Sequence, residues 1–370
     1  MKKLGMGMMR LPLTDPQDPK SIDLEQVCQM VDAFLERGFT YFDTAYMYHN
    51  YQSEIAAREA LVKRHPRDSF LLTSKLPTMF LKEEGDQERI FAEQLEKCGV
   101  DYFDYYLIHN LNVKNYETAK RFDSFGYVAG LKKAGKVRHF GFSFHDTAEV
   151  LDGILTDHPE VDFVQIQLNY LDWEDEGIQS RKCWEVCVKH GKPIIVMEPV
   201  KGGTLAKVSD RVREMFFEAH ADWSVPSWAI RFAAGCDNVF MVLSGMSNIE
   251  QLQDNMSYME SFEPLTAEDR ALLPRAVKMI FEDIAVACTN CRYCVEGCPK
   301  KIEIPQYFEL YNQTKNADAH TLASLRDKYA KLTKDYGKAS DCIRCGQCVR
   351  ACPQHIRIVA ALGKVAKLLE

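Results

Sequence analysis

Long apolar runs are absent from this sequence of 370 residues. Its longest apolar stretches, such as 193–197 and 239–243, have the length of a strand, whereas a helix needs about 20 residues to cross a membrane. An excess of positive charge is also missing, because 46 Lys and Arg stand against 53 Asp and Glu, for a net charge of −7. Nucleic-acid binding needs a basic surface, so the composition argues against that class of partner.

The first residues do not form an export signal, because the apolar run after Met1 is broken at Arg10 and Pro12. The segment from Gly5 to Arg10 has half of a dinucleotide-binding fingerprint, but Arg10 replaces its third glycine and no helix follows directly. We give that motif little weight. We expect a cytoplasmic protein that binds neither a membrane nor nucleic acid.

Cysteine, in contrast, is abundant, with thirteen residues. Eight of them form two blocks with the spacing C-x2-C-x2-C-x3-C-P, namely Cys288, Cys291, Cys294 and Cys298, followed by Cys342, Cys345, Cys348 and Cys352. Disulfides are not expected, because the high density is local and the long chain shows no export signal. Bound metal or clusters are the better interpretation. The other five are expected to fill the core: Cys28, Cys98, Cys183, Cys187 and Cys236.

The first 240 or so residues alternate short β-rich runs with longer amphipathic stretches, a pattern that predicts a parallel sheet with right-handed crossovers. Eight such units predict an α/β fold, a (β/α)8 TIM barrel. The predicted strands are 4–9, 41–44, 70–74, 105–108, 140–143, 164–167, 194–197 and 239–244. A helix with an apolar stripe from Leu24 to Leu35 is expected to end before Gly38.

Polar residues with catalytic potential follow three successive predicted strands. Asp43 and Tyr48 follow the second strand, Lys75 ends the third and His109 ends the fourth. In a barrel of this type these strand ends meet at one mouth, where active sites lie. Any one of these residues alone is more simply explained as structural, but four compatible groups at successive strand ends predict a catalytic site.

These residues resemble the aldo-keto reductase family over roughly residues 1 to 260. The resemblance is carried by the Asp43-Thr-Ala-x-x-Tyr48 run, Lys75 in Thr-Ser-Lys-Leu, His109 after Asp-Tyr-Tyr-Leu-Ile, and the segments 135–143 and 165–169. It implies reduction of a carbonyl by nicotinamide. Tyr48 would donate the proton, Lys75 would stabilise the phenolate, Asp43 would hold Lys75, and His109 would orient the carbonyl oxygen.

The same resemblance implies a nicotinamide site. Ser143 and Gln165 would hydrogen-bond the carboxamide, and Met197 would lie against the ring. From the residues themselves, the pair Gly202 and Gly203 either lets backbone amides approach a pyrophosphate or forms an ordinary turn. Ser247 and Asn255 belong to a segment, 244–255, that resembles the family's adenosine-phosphate loop. This segment has no Lys or Arg to bind a 2′-phosphate, so both NADPH and NADH remain possible.

The cysteine blocks have the spacing of bacterial two-cluster ferredoxins, in which the fourth cysteine of each run binds the other cluster. We therefore assign Cys288, Cys291, Cys294 and Cys352 to one 4Fe-4S cluster, and Cys342, Cys345, Cys348 and Cys298 to a second. Zinc held by four thiolates is the alternative. The prediction is a barrel over 1–280 and a small ferredoxin-like iron-sulfur domain over 281–370, with a helix at 321–332.

The favoured function is nicotinamide-dependent reduction of a small aldehyde or ketone, with the clusters either structural or linked to a redox protein partner. Clusters carry single electrons whereas nicotinamide transfers a hydride, so direct exchange between them is awkward. A flavin is a possible bridge, although no residue pattern identifies a flavin site. The alternative function is electron transfer or redox sensing by an iron-sulfur protein that uses the barrel as a binding scaffold.

Overall fold

A computed structural model describes residues 1–315 and 317–370, and its central feature is a closed barrel of eight parallel strands. Each strand pairs with its neighbours in the sequence, and β1 pairs with β8 to close the sheet. The predicted (β/α)8 barrel is therefore confirmed. The strands are β1 (Leu4–Gly7), β2 (Tyr41–Asp43), β3 (Leu71–Pro77), β4 (Phe103–Leu111), β5 (Val137–Phe144), β6 (Phe163–Gln167), β7 (Ile194–Met197) and β8 (Val239–Ser244).

Helices separate the strands and form the C-terminal part of the chain. They are α1 (Leu24–Glu36), α2 (Ser53–Ala57), α3 (Asp86–Cys98), α4 (Val113–Arg121), α5 (Ser124–Lys133), α6 (Ala148–Asp157), α7 (Ser180–Lys189), α8 (Asp210–Ala219), α9 (Val225–Ala234), α10 (Ile249–Met259), α11 (Ala267–Asp283), α12 (Ile304–Gln313), α13 (Ala319–Leu332), α14 (Gln347–Arg350) and α15 (Ile358–Leu369).

The helix α1 shows how the local sequence determines an element. Asp23 caps its N-terminus, because the side chain accepts a hydrogen bond from the backbone N–H of Gln26 at 3.1 Å. Its buried face repeats at helical spacing: Val27, Met30, Val31 and Phe34. The chain leaves the helix through Gly38, whose φ of +75° favours glycine. The predicted stop before Gly38 is therefore confirmed.

Large side chains fill the inside of the barrel. This cluster consists of Tyr41, Leu107, Phe163, Ile195, Met241 and Leu243, which come from five of the strands. A filled interior leaves the ends of the strands as the place where polar groups are exposed to ligands, as is usual in this fold.

The described residues pack as two compact units. The first contains residues 1–199 and 226–265, and the second contains residues 200–225 and 266–370. Residues 200–225, which follow β7 in the sequence, thus pack with the C-terminal part of the chain. The boundary between the barrel and the ferredoxin-like domain was placed at residue 280 from the sequence, and it stays a prediction.

The second unit has its own apolar core. Tyr307 of α12 and Tyr329 of α13 pack with their ring centroids 4.8 Å apart, and the Tyr329 hydroxyl donates to Glu370 at 2.7 Å. Ile358, Leu362 and further residues of α15 bury their side chains in the same cluster. The helix predicted at 321–332 is present as α13.

None of the helices in the described residues combines the length and apolar character that a membrane span requires. This agrees with the short apolar runs of the sequence.

Candidate active site and cysteine cavities

Three of the four predicted catalytic residues are buried at the ends of neighbouring strands. Asp43 is the last residue of β2, Lys75 lies in β3, and His109 lies in β4 directly beside Pro77 of β3. Tyr48 lies in the turn between β2 and α2. The sheet order therefore brings together residues that are up to 66 positions apart in the sequence.

Lys75 is the centre of this group. Its Nζ lies 2.5 Å from Asp43 Oδ1, 2.7 Å from the backbone oxygen of Thr44 and 3.5 Å from the Tyr48 hydroxyl oxygen. Burial raises the pKa of Asp43 and lowers the pKa of Lys75, and the attraction between the two charges opposes both shifts. The arrangement places an ammonium group at hydrogen-bond distance from a phenol.

His109 also lies near the phenol, with its ring centroid 6.1 Å from that of Tyr48 and the two rings edge to face. Burial, followed by the charges of Lys75 and His145, holds the pKa of His109 well below its usual value. The imidazole is therefore neutral at physiological pH. Its Nδ1 has no hydrogen-bond partner within the described part of the chain.

Two of the residues expected at the nicotinamide are direct neighbours in the sheet. Ser143 of β5 and Gln165 of β6 are register partners, and both are buried. Ser143 Oγ accepts the backbone N–H of Asn110 at 2.7 Å, so its hydroxyl hydrogen remains available to donate. The Gln165 Nε2 makes no hydrogen bond of ordinary geometry to the described residues. Met197 ends β7 and is half-buried beside Gln167 of β6.

The two glycines after β7 lie in different surroundings. Gly202 has a φ of +61°, and a Cβ on it would lie 2.6 Å from the Cα of Thr289, between Cys288 and Cys291. Gly203 has a φ of +99° and open space where a Cβ would be. The close backbone approach at Gly202 is therefore to Thr289, and the predicted contact of both glycines with a pyrophosphate stays a prediction.

The predicted adenosine-phosphate segment is held largely by its own residues. Asn255 is buried on α10, where its Oδ1 accepts the hydroxyl of Ser244 at 2.7 Å. Ser247 Oγ donates to the backbone oxygen of Arg10 at 2.8 Å. The Arg10 side chain also packs against Gly245, since a Cβ there would lie 3.0 Å from its Cδ. The Arg10 side chain thus places a cation beside the segment 244–255, which contains no Lys or Arg. The sequence analysis noted Arg10 only as the residue that replaces the third glycine of the motif at 5–10.

A buried polar network that the sequence analysis missed contacts the backbone of Lys75. Glu54 Oε1 accepts hydrogen bonds from Ser74 Oγ at 2.7 Å and from Gln94 Nε2 at 2.8 Å. Gln94 Nε2 also contacts the backbone oxygen of Lys75 at 3.0 Å, and Tyr106 donates to Gln94 Oε1 at 2.6 Å. Burial raises the pKa of Glu54 to about 7, although the hydrogen bonds from Ser74 and Gln94 oppose the shift.

Because of this pKa, Glu54 is expected to make the barrel less stable as the pH rises. Between an ordinary pKa of 4.5 and about 7, the folded chain binds the proton more strongly than the unfolded chain, so the free energy of unfolding falls across this window. The loss amounts to about 3 kcal/mol and is complete above the window. Glu54→Gln should remove most of this pH dependence, as measured by chemical denaturation at pH 5 and pH 8.

The matched control is Glu88→Gln on the exposed side of α3, which should keep the pH dependence of the unchanged protein. An equal change in stability at both pH values for Glu54→Gln would contradict the assignment.

The eight block cysteines surround two cavities, and each cavity takes cysteines from both blocks. The first is lined by Cys288, Cys291, Cys294 and Cys352. The second is lined by Cys298, Cys342, Cys345 and Cys348. These are the two groups that the crossed assignment predicts. In the described residues, no three His, Cys, Asp or Glu side chains converge closely enough to hold a single metal ion.

The first cavity has a buried cation beside it. Lys201, which precedes Gly202, is only 3% exposed, and its Nζ donates to Gln354 Oε1 at 2.6 Å. Gln354 lines the cavity two residues after Cys352. No pattern in the sequence pointed to this pair, because its members are 153 positions apart.

Comparison with known families gives two matches. The model of the Aldo/keto reductase family matches residues 3–277, and the model of the 4Fe-4S dicluster domain matches residues 287–356. The second match favours iron-sulfur clusters over zinc.

Individual relatives agree with the first match. An aldo-keto reductase of Mycolicibacterium vanbaalenii is 32% identical over 250 residues, which cover 66% of this chain and 81% of the relative. The NADH-specific methylglyoxal reductase of Escherichia coli is 22% identical over 63% of this chain and 82% of its own length. An aldo-keto reductase of Klebsiella pneumoniae solved with NADPH has a TM-score of 0.56 at 20% identity, covering 74% of this chain and 90% of that one.

Proposed function

The chain belongs to the aldo/keto reductase family and carries a 4Fe-4S domain, and we propose that it reduces a small aldehyde or ketone to the alcohol with Tyr48 as the proton donor. The observation that carries the proposal is the position of the Tyr48 hydroxyl, 3.5 Å from the Nζ of a lysine that is itself paired with Asp43. When bound, nicotinamide supplies the hydride, and the chain must supply the proton.

A tyrosine is a weak acid near neutral pH, because its ordinary pKa is about 10. A cation beside the hydroxyl favours the phenolate that remains once the proton has left. Lys75 supports this role in two ways, because its side chain is buried and its ammonium group forms an ion pair with Asp43. Tyr48 then transfers its proton to the developing alkoxide of the substrate.

His109 is the second group that we assign to the substrate oxygen. As a neutral imidazole it donates a single hydrogen bond, which orients and polarises the carbonyl without a competing proton transfer. The nearby charge of Lys75 helps to keep it neutral. Asp43 acts on Lys75 alone in this scheme.

Ser143 and Gln165 are proposed to bind the carboxamide of the nicotinamide, with Met197 against the ring. The hydroxyl hydrogen of Ser143 and the side-chain amide of Gln165 are donors suited to a carboxamide oxygen. Ser247 and Asn255 are proposed for the adenosine phosphate of the dinucleotide, which is either NADPH or NADH.

The two groups of four cysteines are proposed to hold one 4Fe-4S cluster each, and bound clusters supply one-electron transfer. Because hydride chemistry moves two electrons, the clusters serve either a redox protein partner or the stability of the second unit.

The test is an anaerobic assay of the full chain purified with its iron. NADH and NADPH are supplied in turn with a panel of small aldehydes and ketones, while nicotinamide oxidation and the visible absorbance of the clusters are recorded together. We expect carbonyl-dependent nicotinamide oxidation while the cluster absorbance stays constant. Bleaching of the clusters without any carbonyl turnover would reject the reductase and indicate an electron-transfer protein.

A further inference from the structure

The second cysteine cavity reaches the protein surface at one of the cysteines that line it. Cys345 is the exposed member of the eight block cysteines, whereas the other seven are buried or half-buried. Ile343 and Val349, which flank it in the sequence, are 58% and 37% exposed. Apolar side chains at the surface beside a cluster ligand are a feature of protein contact sites, because contact removes them from water.

Positively charged side chains lie beside this apolar centre. Arg350 Nη1 contacts the backbone oxygen of Cys345 at 3.4 Å, and Arg344 is exposed directly before Cys345. Lys300 lines the cavity from the first block. The nearby carboxylate of Asp341 accepts the backbone N–H of Lys338 at 2.8 Å and so is engaged within its own turn.

The charge of the whole segment has the same sign. Residues 281–370 contain 14 Lys and Arg against 10 Asp and Glu, although the complete chain has a net charge of −7. A basic surface on an acidic protein attracts acidic partners and increases their rate of association.

The structure thus points to a docking surface, and we propose that the face formed by Ile343, Arg344, Cys345, Val349 and Arg350 binds an acidic one-electron carrier protein. The inference rests on the proposed pair of clusters. One electron passes from the reduced carrier to the cluster held by Cys345, which oxidises the carrier and reduces the cluster by one electron each, without bond formation or proton transfer.

A face of five residues is smaller than the roughly 20 to 30 residues on each side of a stable interface, so it suits a brief encounter better than a permanent complex. The exposed ligand shortens the distance between the donor and the cluster, and transfer rates fall steeply with that distance. The first cavity offers no comparable approach, since none of its four cysteines is exposed. The second cluster is therefore the point at which electrons enter.

The experiment uses the iron-loaded full chain and a photoreduced acidic flavodoxin as the probe. Stopped-flow absorbance measures the rate of cluster reduction at low and high salt for the unchanged protein and for Arg344→Glu/Arg350→Glu. The control Lys328→Glu/Lys331→Glu makes the same change in net charge on exposed positions of α13. Reduction by methyl viologen radical tests whether the cluster itself is intact.

We expect the Arg344/Arg350 variant to slow reduction by flavodoxin about tenfold or more at low salt, whereas the α13 variant stays close to the unchanged protein. High salt should remove most of the difference. Methyl viologen radical is a cation, so it should not be slowed by the Arg344/Arg350 change, and at high salt it should reduce all three proteins at similar rates.

Equal slowing in both variants, or a flavodoxin rate that does not depend on salt, would overturn the docking face. Self-association of the unchanged protein that the Arg344/Arg350 variant lacks, seen by analytical ultracentrifugation, would assign the face to a second copy of the chain instead. If the purified chain holds no clusters in iron and sulfide analysis, the proposed function fails at that earlier step and the inference fails with it.

Discussion

Tyr48→Phe is expected to lower kcat for carbonyl reduction by at least about a hundredfold. The change removes one oxygen atom, and with it the proton that would reach the substrate alkoxide. Lys75 keeps Asp43 and the Thr44 backbone as partners, so the buried charge pair should persist. Binding of NADH or NADPH, measured by fluorescence titration, should be largely unchanged, because Ser143 and Gln165 are untouched. The loss should therefore appear in kcat and not in nucleotide affinity.

Tyr46→Phe is the matched control. It removes a hydroxyl two positions away that donates to Glu93 of α3 at 2.9 Å and not to the Lys75 group, so its turnover should stay near that of the unchanged protein. Wild-type turnover in Tyr48→Phe would eliminate Tyr48 as the acid.

Serine substitutions at the cysteines are expected to reveal how the two blocks share their clusters. Cys294→Ser and Cys352→Ser each remove a ligand of the first cavity, so either variant should retain about half of the iron. If both cysteines hold the same cluster, Cys294→Ser/Cys352→Ser should also retain about half. Cys294→Ser/Cys298→Ser should lose nearly all of it, because these two cysteines line different cavities.

Iron and acid-labile sulfide analysis after anaerobic purification measures the outcome. Cys183→Ser, a buried cysteine of α7 outside the blocks, is the control and should keep the full iron content. Near-complete loss in Cys294→Ser/Cys352→Ser combined with half retention in Cys294→Ser/Cys298→Ser would mean that each block holds its own cluster.

The barrel was accessible from the sequence because each strand is a compact β-rich run. The predicted strands at 194–197 and 239–244 have the observed limits of β7 and β8. The strand predicted at 105–108 is longer in the structure, where β4 spans Phe103–Leu111. The polar residues His109 and Asn110 concealed its end, because the register with β5 shifts between Ile108 and Leu111 and Asn110 has a φ of +60°.

The candidate site was predictable where polar residues that can act together in acid–base chemistry lie at the ends of successive strands, as Asp43, Lys75 and His109 do. The network around Glu54 was not, because a buried carboxylic acid inside a short helix looks like any surface glutamate until the packing is known. The same holds for Lys201, whose partner Gln354 lies near the other end of the chain. Contacts between distant positions leave no periodic signal in a single sequence.

The packing of residues 200–225 with the C-terminal part of the chain also determines when this segment can mature. During synthesis, Lys201 and Gly202 leave the ribosome well before Thr289 and Gln354, which they contact in the finished protein. The loop after β7 can therefore reach its final packing only after the last part of the chain has been made. The cysteine loops in that part line the two cavities. Iron supply during growth is thus expected to influence how much of the newly made protein reaches its final form.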